Sequence, residues 1–202
     1  MLSHKKSLNI LKKTNALLDG HFVLSSGLHS SQYIQCAKLL SYPDKAEIVC
    51  SSLAEKINNE YKNIDVVLSP AIGGIVVGYE IGKQLNKKTI FAERLDGKLT
   101  LRRGFDISPN SNVLIVEDVI TTGKSALECS KILQFKKANL VGFACIIDRS
   151  CDELLIKDKI VSQIQFNIKT FSANKLPDNL KKIKPAKPGS RNLVKWKRED
   201  LE

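Results

Sequence analysis

The chain has 202 residues, 43% of them hydrophobic and 26% charged, and its formal net charge is +11. This length suits one globular domain with a sizeable core, and no apolar run approaches the roughly 18 residues that span a bilayer. The five cysteines lack CxxC spacing, which argues against a zinc site or a disulfide framework. Residues 1–13 hold four lysines and no signal-peptide apolar core, so a cytoplasmic protein is expected.

Helical and strand patterns alternate along the chain. An amphipathic helix is predicted first, over residues 3–18, and Asp19 and Gly20 would end it. The remaining predicted elements are, in chain order, strands at 22–24 and 33–34, a helix at 43–59, a strand at 65–69, a helix at 75–85, strands at 89–92 and 113–116, a helix at 125–137, and strands at 140–147 and 161–167. Such alternation predicts a parallel sheet with right-handed crossovers.

Residues 113–125 form the most informative motif. Four apolar residues, 113–116, predict a strand buried on both faces, and Glu117 and Asp118 follow it directly. The turn at 121–125 is rich in hydroxyls and opens a predicted helix, where backbone N–H groups can bind a phosphate. The two carboxylates suit a sugar diol or a hydrated Mg²⁺. The motif therefore predicts a phosphorylated-sugar site at the carboxyl end of a strand.

A nucleotide-binding P-loop is the main alternative for this turn, because Gly123, Lys124 and Ser125 match the end of that motif. The full motif requires a glycine five positions before Gly123, and that position is Asp118. A carboxylate there would repel the phosphates that the P-loop backbone wraps. We therefore reject the P-loop.

Three further segments carry residues typical of ligand sites. Residues 69–74 join a predicted strand to a predicted helix, and their glycines let backbone N–H groups approach an anion. Residues 93–105 hold four cations and two glycines, which indicates a mobile loop or an extended hairpin that brings charge to a substrate. Asp148 and Arg149 follow the strand at 140–147, and arginine suits bidentate carboxylate recognition. Each segment also has an interpretation without a ligand. Residues 69–74 would then be a turn that needs glycine, residues 93–105 a solvated basic hairpin, and Arg149 part of a surface ion pair.

Residues 113–125 resemble the phosphoribosyl diphosphate (PRPP) binding motif of the type I phosphoribosyltransferases. Several other segments resemble the orotate branch of that family, and they lie in order at 20–30, 69–74, 93–105, 147–149 and 187–191. The resemblance implies the type I phosphoribosyltransferase fold, an α/β fold whose mostly parallel central sheet is flanked by helices. It also implies one domain over 1–202, with an N-terminal hood segment at about 1–40 and a basic tail at about 175–202.

The implied reaction transfers the 5-phosphoribosyl group from PRPP to orotate, which gives orotidine 5′-monophosphate and diphosphate on the route to UMP. The resemblance further implies Mg²⁺ as cofactor and a homodimer in which the loop of Lys98 reaches the neighbouring subunit's site. Neither nucleic acid nor a membrane is an expected partner. Two alternatives stay open. One is a transferase for a purine or uracil, and the other is a regulatory protein of this fold whose +11 charge binds nucleic acid.

The family's residue roles carry over onto matching positions. Lys98 and Asp118 are the implied catalytic residues, and Glu117 and Asp118 would hold the ribose hydroxyls and, partly through water, the metal. The implied orotate-binding residues are Thr121, Arg149, Ser26 and Gly27. The implied PRPP-binding residues are Arg94, Lys98, Ala71, Ile72, Gly73, Gly74, Glu117, Asp118, Val119, Ile120, Thr121, Thr122, Gly123, Lys124 and Ser125.

Three positions depart from the family's pattern. Some members carry a lysine where this chain has Gly73, and many carry one at the position of Ser25. A histidine that some members have two positions beyond the catalytic lysine is Thr100 here. Arg102 or Arg103 could supply the contact that this histidine makes.

Overall fold

The computed structural model describes residues 1–24, 26–150 and 154–188. The chain divides into two compact units. The larger unit consists of Met1–Ala16 and Cys36–Asn167, and the smaller consists of Leu17–Gln35 and the chain from Ile168 onward. None of the helices in the described part of the chain has the length and apolar character that a bilayer crossing requires.

The described elements follow the predicted alternation closely. In chain order they are α1 (His4–Lys13), β1 (Leu17–Val23), β2 (His29–Ile34), α2 (Cys36–Leu40), α3 (Pro43–Glu60), β3 (Val66–Pro70), α4 (Gly73–Leu85), β4 (Lys88–Leu95), β5 (Lys98–Leu101), β6 (Asn112–Ile120), α5 (Lys124–Lys136), β7 (Asn139–Asp148), β8 (Ile160–Gln165), β9 (Thr170–Phe171), a 3₁₀-helix (Ala173–Lys175) and α6 (Asp178–Lys181). The sequence did not predict α2, β9, the 3₁₀-helix or α6, and it predicted β5 only as part of the alternative hairpin within residues 93–105.

The first helix is shorter than the sequence pattern predicts. It ends at Lys13, and Asn15 then adopts a left-handed φ of 53°, which an asparagine tolerates and a helix interior does not. Leu17 and Leu18 fit the helical spacing, but they begin β1 and pair with β2. Asp19 lies in that strand beside an irregularity of the pairing, so the prediction that it ends a helix is wrong.

The smaller unit contains an antiparallel sheet in the order β1-β2-β9. His21 is buried in it, with Nδ1 2.8 Å from the Ile183 carbonyl oxygen and Nε2 2.7 Å from His29 Nδ1. Both histidines lie in strands, His21 in β1 and His29 in β2. The Ala186 N–H donates to the His21 carbonyl at 2.8 Å, which ties the described part of the tail to β1. Residues 189–202 lie outside the described residues.

The larger unit contains a six-stranded sheet in the order β5-β4-β3-β6-β7-β8. Its neighbours are parallel except β4 and β5, which confirms the predicted mostly parallel sheet. The side chains of residues 113–116 in β6 are fully buried, as their apolar run predicts.

The carboxyl ends of β3 and β6 diverge. The two strands pair only as far as Leu68 and Ile115, whereas β6 continues to Ile120 along β7. After β3 the chain continues to β4 on one side of the sheet, and after β6 it continues to β7 on the other side. The strand order therefore reverses between β3 and β6. Open α/β sheets bind their ligands at such a switch point, beyond the carboxyl ends of the strands.

Glycines allow α4 to pack closely on β3. A Cβ atom at Gly78 would lie 2.0 Å from Ser69 Oγ and 2.9 Å from Ser69 Cβ. Ser69 is fully buried, and its hydroxyl has no hydrogen-bond partner among the described residues. The contact between α4 and β3 therefore leaves no room for a side chain at position 78.

We expect Gly78→Ala to lower the free energy of unfolding by about 1–3 kcal/mol, because the added methyl group overpacks this contact. Ser69→Ala should cost little alone, since it removes an unpaired hydroxyl, and it should reduce the cost of Gly78→Ala. Urea unfolding of both single variants and the double variant measures these differences. A Gly78→Ala protein more stable than wild type, as helix propensity alone would give, contradicts this packing.

Candidate functional site

Glu117 and Asp118 lie in β6 just beyond its last partner in β3. Neighbouring side chains of a strand point to opposite faces, so the two carboxylates face different helices. Asp118 faces the start of α4, where a Cβ atom at Gly73 would lie 2.9 Å from Asp118 Oδ1. Glu117 faces α5, which carries the buried Cys129 thiol. Burial is the main cause that raises the pKa of this thiol, and the negative charge of Glu117 is the second. The two carboxylates thus line the gap at the switch point.

Burial weakens the acidity of both groups. It raises the pKa of Glu117 to about 8, with the negative charge of Asp118 as the second cause. Burial also raises the pKa of Asp118, although the Val119 N–H donates to Asp118 Oδ1 at 2.9 Å and opposes that rise. No lysine or arginine of the described ranges forms an ion pair with either group. A ligand that supplies hydroxyl donors or a cation would satisfy them.

Two helix N-termini begin beside these carboxylates. Helix α5 starts after Gly123, which adopts a φ of +75°, and helix α4 starts after Ile72. Neither start has a side-chain hydrogen bond to cap it. The first N–H groups of a helix lack internal partners, and the helix dipole favours anions there. Each end is therefore suited to a phosphate group.

Gly123 is required for the turn that opens α5. Besides its positive φ, a Cβ atom at this position would lie 2.6 Å from the Ile156 side chain. The Leu155 N–H donates to the Thr122 carbonyl at 2.9 Å, which holds the turn against the following segment. The predicted residues 121–125 are thereby fixed at the end of β6.

The predicted basic segment folds as a hairpin, which was one of the two alternatives. Asp96 and Gly97 form its two-residue turn, and both have a positive φ, as tight hairpins require. Lys98 is exposed at the start of β5. Arg103 donates two hydrogen bonds of 2.8 Å to the Glu93 carboxylate. Arg103 and Glu93 therefore form a bidentate ion pair within the hairpin segment.

Arg94 lies near the end of β4. Its Nη1 donates to the Gly97 carbonyl in the hairpin turn and lies 2.9 Å from Glu128 Oε2 on α5. The sequence analysis did not identify Glu128, because a glutamate inside a helix belongs to no motif. Its position one helical turn after Lys124, near the start of α5, is the sequence feature that places it close to the predicted phosphate-binding turn.

Arg149 lies at the same edge as Thr121. The Arg149 N–H donates to the Ile120 carbonyl at 2.8 Å, and the buried Asp148 accepts a hydrogen bond from the Ser150 N–H at 2.8 Å. The ends of β6 and β7 thus bring these two predicted residues together. Ser26 and Gly27 belong to the smaller unit, and Ser25 lies outside the described residues.

The carboxylates fit a metal that brings most of its own ligands. No group of three or more histidine, cysteine, aspartate or glutamate side chains in the described ranges is arranged to hold a metal. Glu117 and Asp118 supply two carboxylates, which suits Mg²⁺ because this ion commonly keeps several waters and substrate oxygens.

Comparisons with known proteins give a consistent result. Residues 41–176 match the family model described as the phosphoribosyl transferase domain. An orotate phosphoribosyltransferase of Caldicellulosiruptor bescii is 45% identical over 184 residues, which are 91% of this chain and 96% of that protein. The crystal structure of orotate phosphoribosyltransferase from Aeropyrum pernix is similar with a TM-score of 0.67 and 25% identity, over 78% of this chain and 92% of that one.

The fold is shared more widely than the orotate enzymes. The adenine phosphoribosyltransferase of Thermoanaerobacter pseudethanolicus matches with a TM-score of 0.58 and 15% identity, over 67% of this chain and 88% of that one. The fold alone therefore does not identify the base.

The raised pKa of Glu117 predicts a pH dependence of stability. Between the unfolded value of about 4.5 and the folded value of about 8, the folded protein keeps a proton that the unfolded chain has released. This contribution to stability is complete below about pH 4.5 and is lost as the pH rises through about 8. Glu117→Gln removes the titrating group, so its stability should exceed that of wild type increasingly toward high pH.

We expect the difference in free energy of unfolding between Glu117→Gln and wild type to grow by on the order of a few kcal/mol from about pH 5 to about pH 9. Urea unfolding across this range, without added ligand, measures it. Asp118 is present in both proteins, and because its charge contributes to the raised pKa of Glu117, the difference measures Glu117 together with its coupling to Asp118. A difference that stays constant with pH contradicts the shifted pKa.

Proposed function

The chain belongs to the phosphoribosyltransferase family and within it to the orotate phosphoribosyltransferases, and we infer that it transfers the 5-phosphoribosyl group of PRPP to orotate. The products are orotidine 5′-monophosphate and diphosphate, and the reaction belongs to pyrimidine biosynthesis. The observation that carries this inference is the 45% identity to a curated orotate enzyme over 91% of the chain. The two carboxylates of β6 between two uncapped helix starts fit this activity.

PRPP would bind across the gap between β3 and β6. We assign its 5′-phosphate to residues 121–125 at the start of α5, and its diphosphate to residues 71–74 at the start of α4. The uncapped N–H groups of both helices support this assignment. Glu117 and Asp118 would then accept hydrogen bonds from the ribose hydroxyls between the two phosphate sites.

The chemistry is a displacement at C1 of the ribose with inversion. Positive charge develops on the ribose, and negative charge develops on the departing diphosphate. Arg94 and Lys98 would stabilise the diphosphate, and the carboxylate of Asp118 would stabilise the ribosyl cation. N1 of orotate would form the bond to C1 as the bond from C1 to the diphosphate oxygen breaks, and the proton of N1 would be released to solvent. Mg²⁺, when bound through water by Glu117 and Asp118, would neutralise part of the diphosphate's charge.

Orotate would meet Thr121 and Arg149 at the end of β6 and β7. The guanidinium of Arg149 can form a bidentate pair with the orotate carboxylate, and uracil and the purine bases lack that group. The roles of Ser26 and Gly27 stay predictions. Among the loop arginines, Arg103 is held by Glu93, so we assign Arg102 to the contact that a histidine makes in some family members.

A homodimer is proposed as the working state. Ile72, directly before α4, and Val76 and Tyr79 on that helix are spaced by four and three residues, and they are 86%, 50% and 67% exposed. A stripe of this kind is typical of a surface that a partner covers. Lys98 would act in the neighbouring subunit's site. The cytoplasmic location stays a prediction.

The base specificity can be tested by turnover with PRPP and Mg²⁺. We expect loss of orotate absorbance in the presence of the protein and no comparable consumption of uracil, adenine or hypoxanthine. Arg149→Ala should raise the KM for orotate by about tenfold or more, because a charge-assisted bidentate pair is lost. Preference for one of the other three bases would overturn the assignment. Salt-sensitive RNA or DNA binding without any turnover would favour the regulatory alternative.

Mixing two inactive variants tests whether Lys98 acts across subunits. Lys98→Ala and Asp118→Asn should each lose most of their turnover. Denaturing and refolding them together in equal amounts should restore about a quarter of the wild-type turnover, since half the dimers are mixed and each mixed dimer holds one complete site. A mixture as inactive as its components indicates that Lys98 acts within its own subunit.

A further inference from the structure

We propose that Glu128 is a positioning residue that holds the Arg94 guanidinium ready for the diphosphate of PRPP. This inference rests on the proposed function, in which Arg94 binds the leaving diphosphate. It adds a residue of α5 that neither the sequence motifs nor the family resemblance assigns.

The geometry begins with one nitrogen of Arg94. Nη1 lies 2.9 Å from Glu128 Oε2 and donates to the Gly97 carbonyl in the hairpin turn. The Glu128 side chain is 21% exposed and that of Arg94 is 45% exposed, so the pair is partly shielded from water. Glu128 Oε2 is buried and has no hydrogen-bond partner among the described residues, so the nearby charge of Arg94 is what compensates its own.

The remaining donors of Arg94 are then available for a ligand. A guanidinium has five N–H donors in a fixed plane, and Nη1 provides two of them. Within the described parts of the chain, no hydrogen bond engages Nε or Nη2. These two nitrogens form one edge of the fork, which matches the two oxygens of a phosphate group. Glu128 and Gly97 thus fix one side of the guanidinium and leave a bidentate side open.

The pair also lies on the side of β6 that carries Glu117. The buried Cys129 thiol has its pKa raised by burial and then by the charges of Glu117 and Glu128, and the charge of Arg94 opposes that rise. One thiol therefore senses all three groups. Without Glu128, Arg94 would keep only the Gly97 carbonyl as an anchor, and its long side chain would regain rotamer freedom that PRPP binding must then remove.

The test separates positioning from a merely structural role. Glu128→Gln should raise the KM for PRPP by about two- to fivefold, the size expected when a partly exposed ion pair is lost, and should leave the KM for orotate unchanged. Glu128→Asp keeps the negative charge, so its KM for PRPP should lie between those of Glu128→Gln and wild type. Asp106→Asn is the matched control. It removes an ion pair of 2.7 Å between Asp106 and Lys136, a residue of α5 like Glu128, and it should change neither KM.

The effect must depend on Arg94. In an Arg94→Ala background, Glu128→Gln should cause no further change in the KM for PRPP, because its target is absent. An unchanged KM in the single variant, a lower KM, or an equal effect in both backgrounds overturns the proposal. A lower KM would mean that Glu128 competes with diphosphate for Arg94. Should Glu128→Gln not fold, Glu128→Ala provides the same comparison.

The wild-type protein in the same assay keeps this test separate from the proposed function. Orotate turnover by wild type together with no effect of Glu128→Gln rejects the positioning role alone. Absence of orotate turnover by wild type rejects the function on which it rests.

Discussion

The partial burial of two carboxylates at the end of β6 is the constraint on which the rest of the site depends. The apolar residues 113–116 must be covered on both faces, which requires a parallel sheet with helices on each side. Because β6 runs past its partner in β3, the same strand carries Glu117 and Asp118 into the gap between them. Burial there raises the pKa of both groups, so the apoprotein keeps them only at a cost in stability that a ligand can relieve.

Gly73, one of the departures from the family pattern, lies against one of these carboxylates. A side chain at position 73 requires the Asp118 carboxylate to move, because a Cβ atom there would lie 2.9 Å from Asp118 Oδ1. Glycine lets that carboxylate face the start of α4, and in the proposed site it would leave the diphosphate to the backbone N–H groups and to cations from elsewhere. We propose that Arg94, which contacts Gly97 and Glu128, is a cation of the larger unit that compensates.

The sequence predicted the features that depend on local patterns. The apolar run of β6, the alternation of strands and helices, and the glycine-containing turns before α4 and α5 could all be read from neighbouring residues. The end of α1 could not, because Leu17 and Leu18 satisfy helical spacing while their pairing with β2 decides their structure. The pairs Arg94–Glu128 and Arg103–Glu93 could not either, because each joins residues that only the folded chain brings together.

The central claim is that residues 117–125 form the PRPP site, and calorimetric titration with PRPP and Mg²⁺ in the absence of orotate tests it most directly. Wild type should bind PRPP, and Asp118→Asn should bind it at least about tenfold more weakly, since a charge-assisted hydrogen bond to the ribose is lost. Unfolding curves of the two proteins at the same pH check that both are folded. Equal affinity of the two proteins, or absence of binding by wild type, contradicts the account.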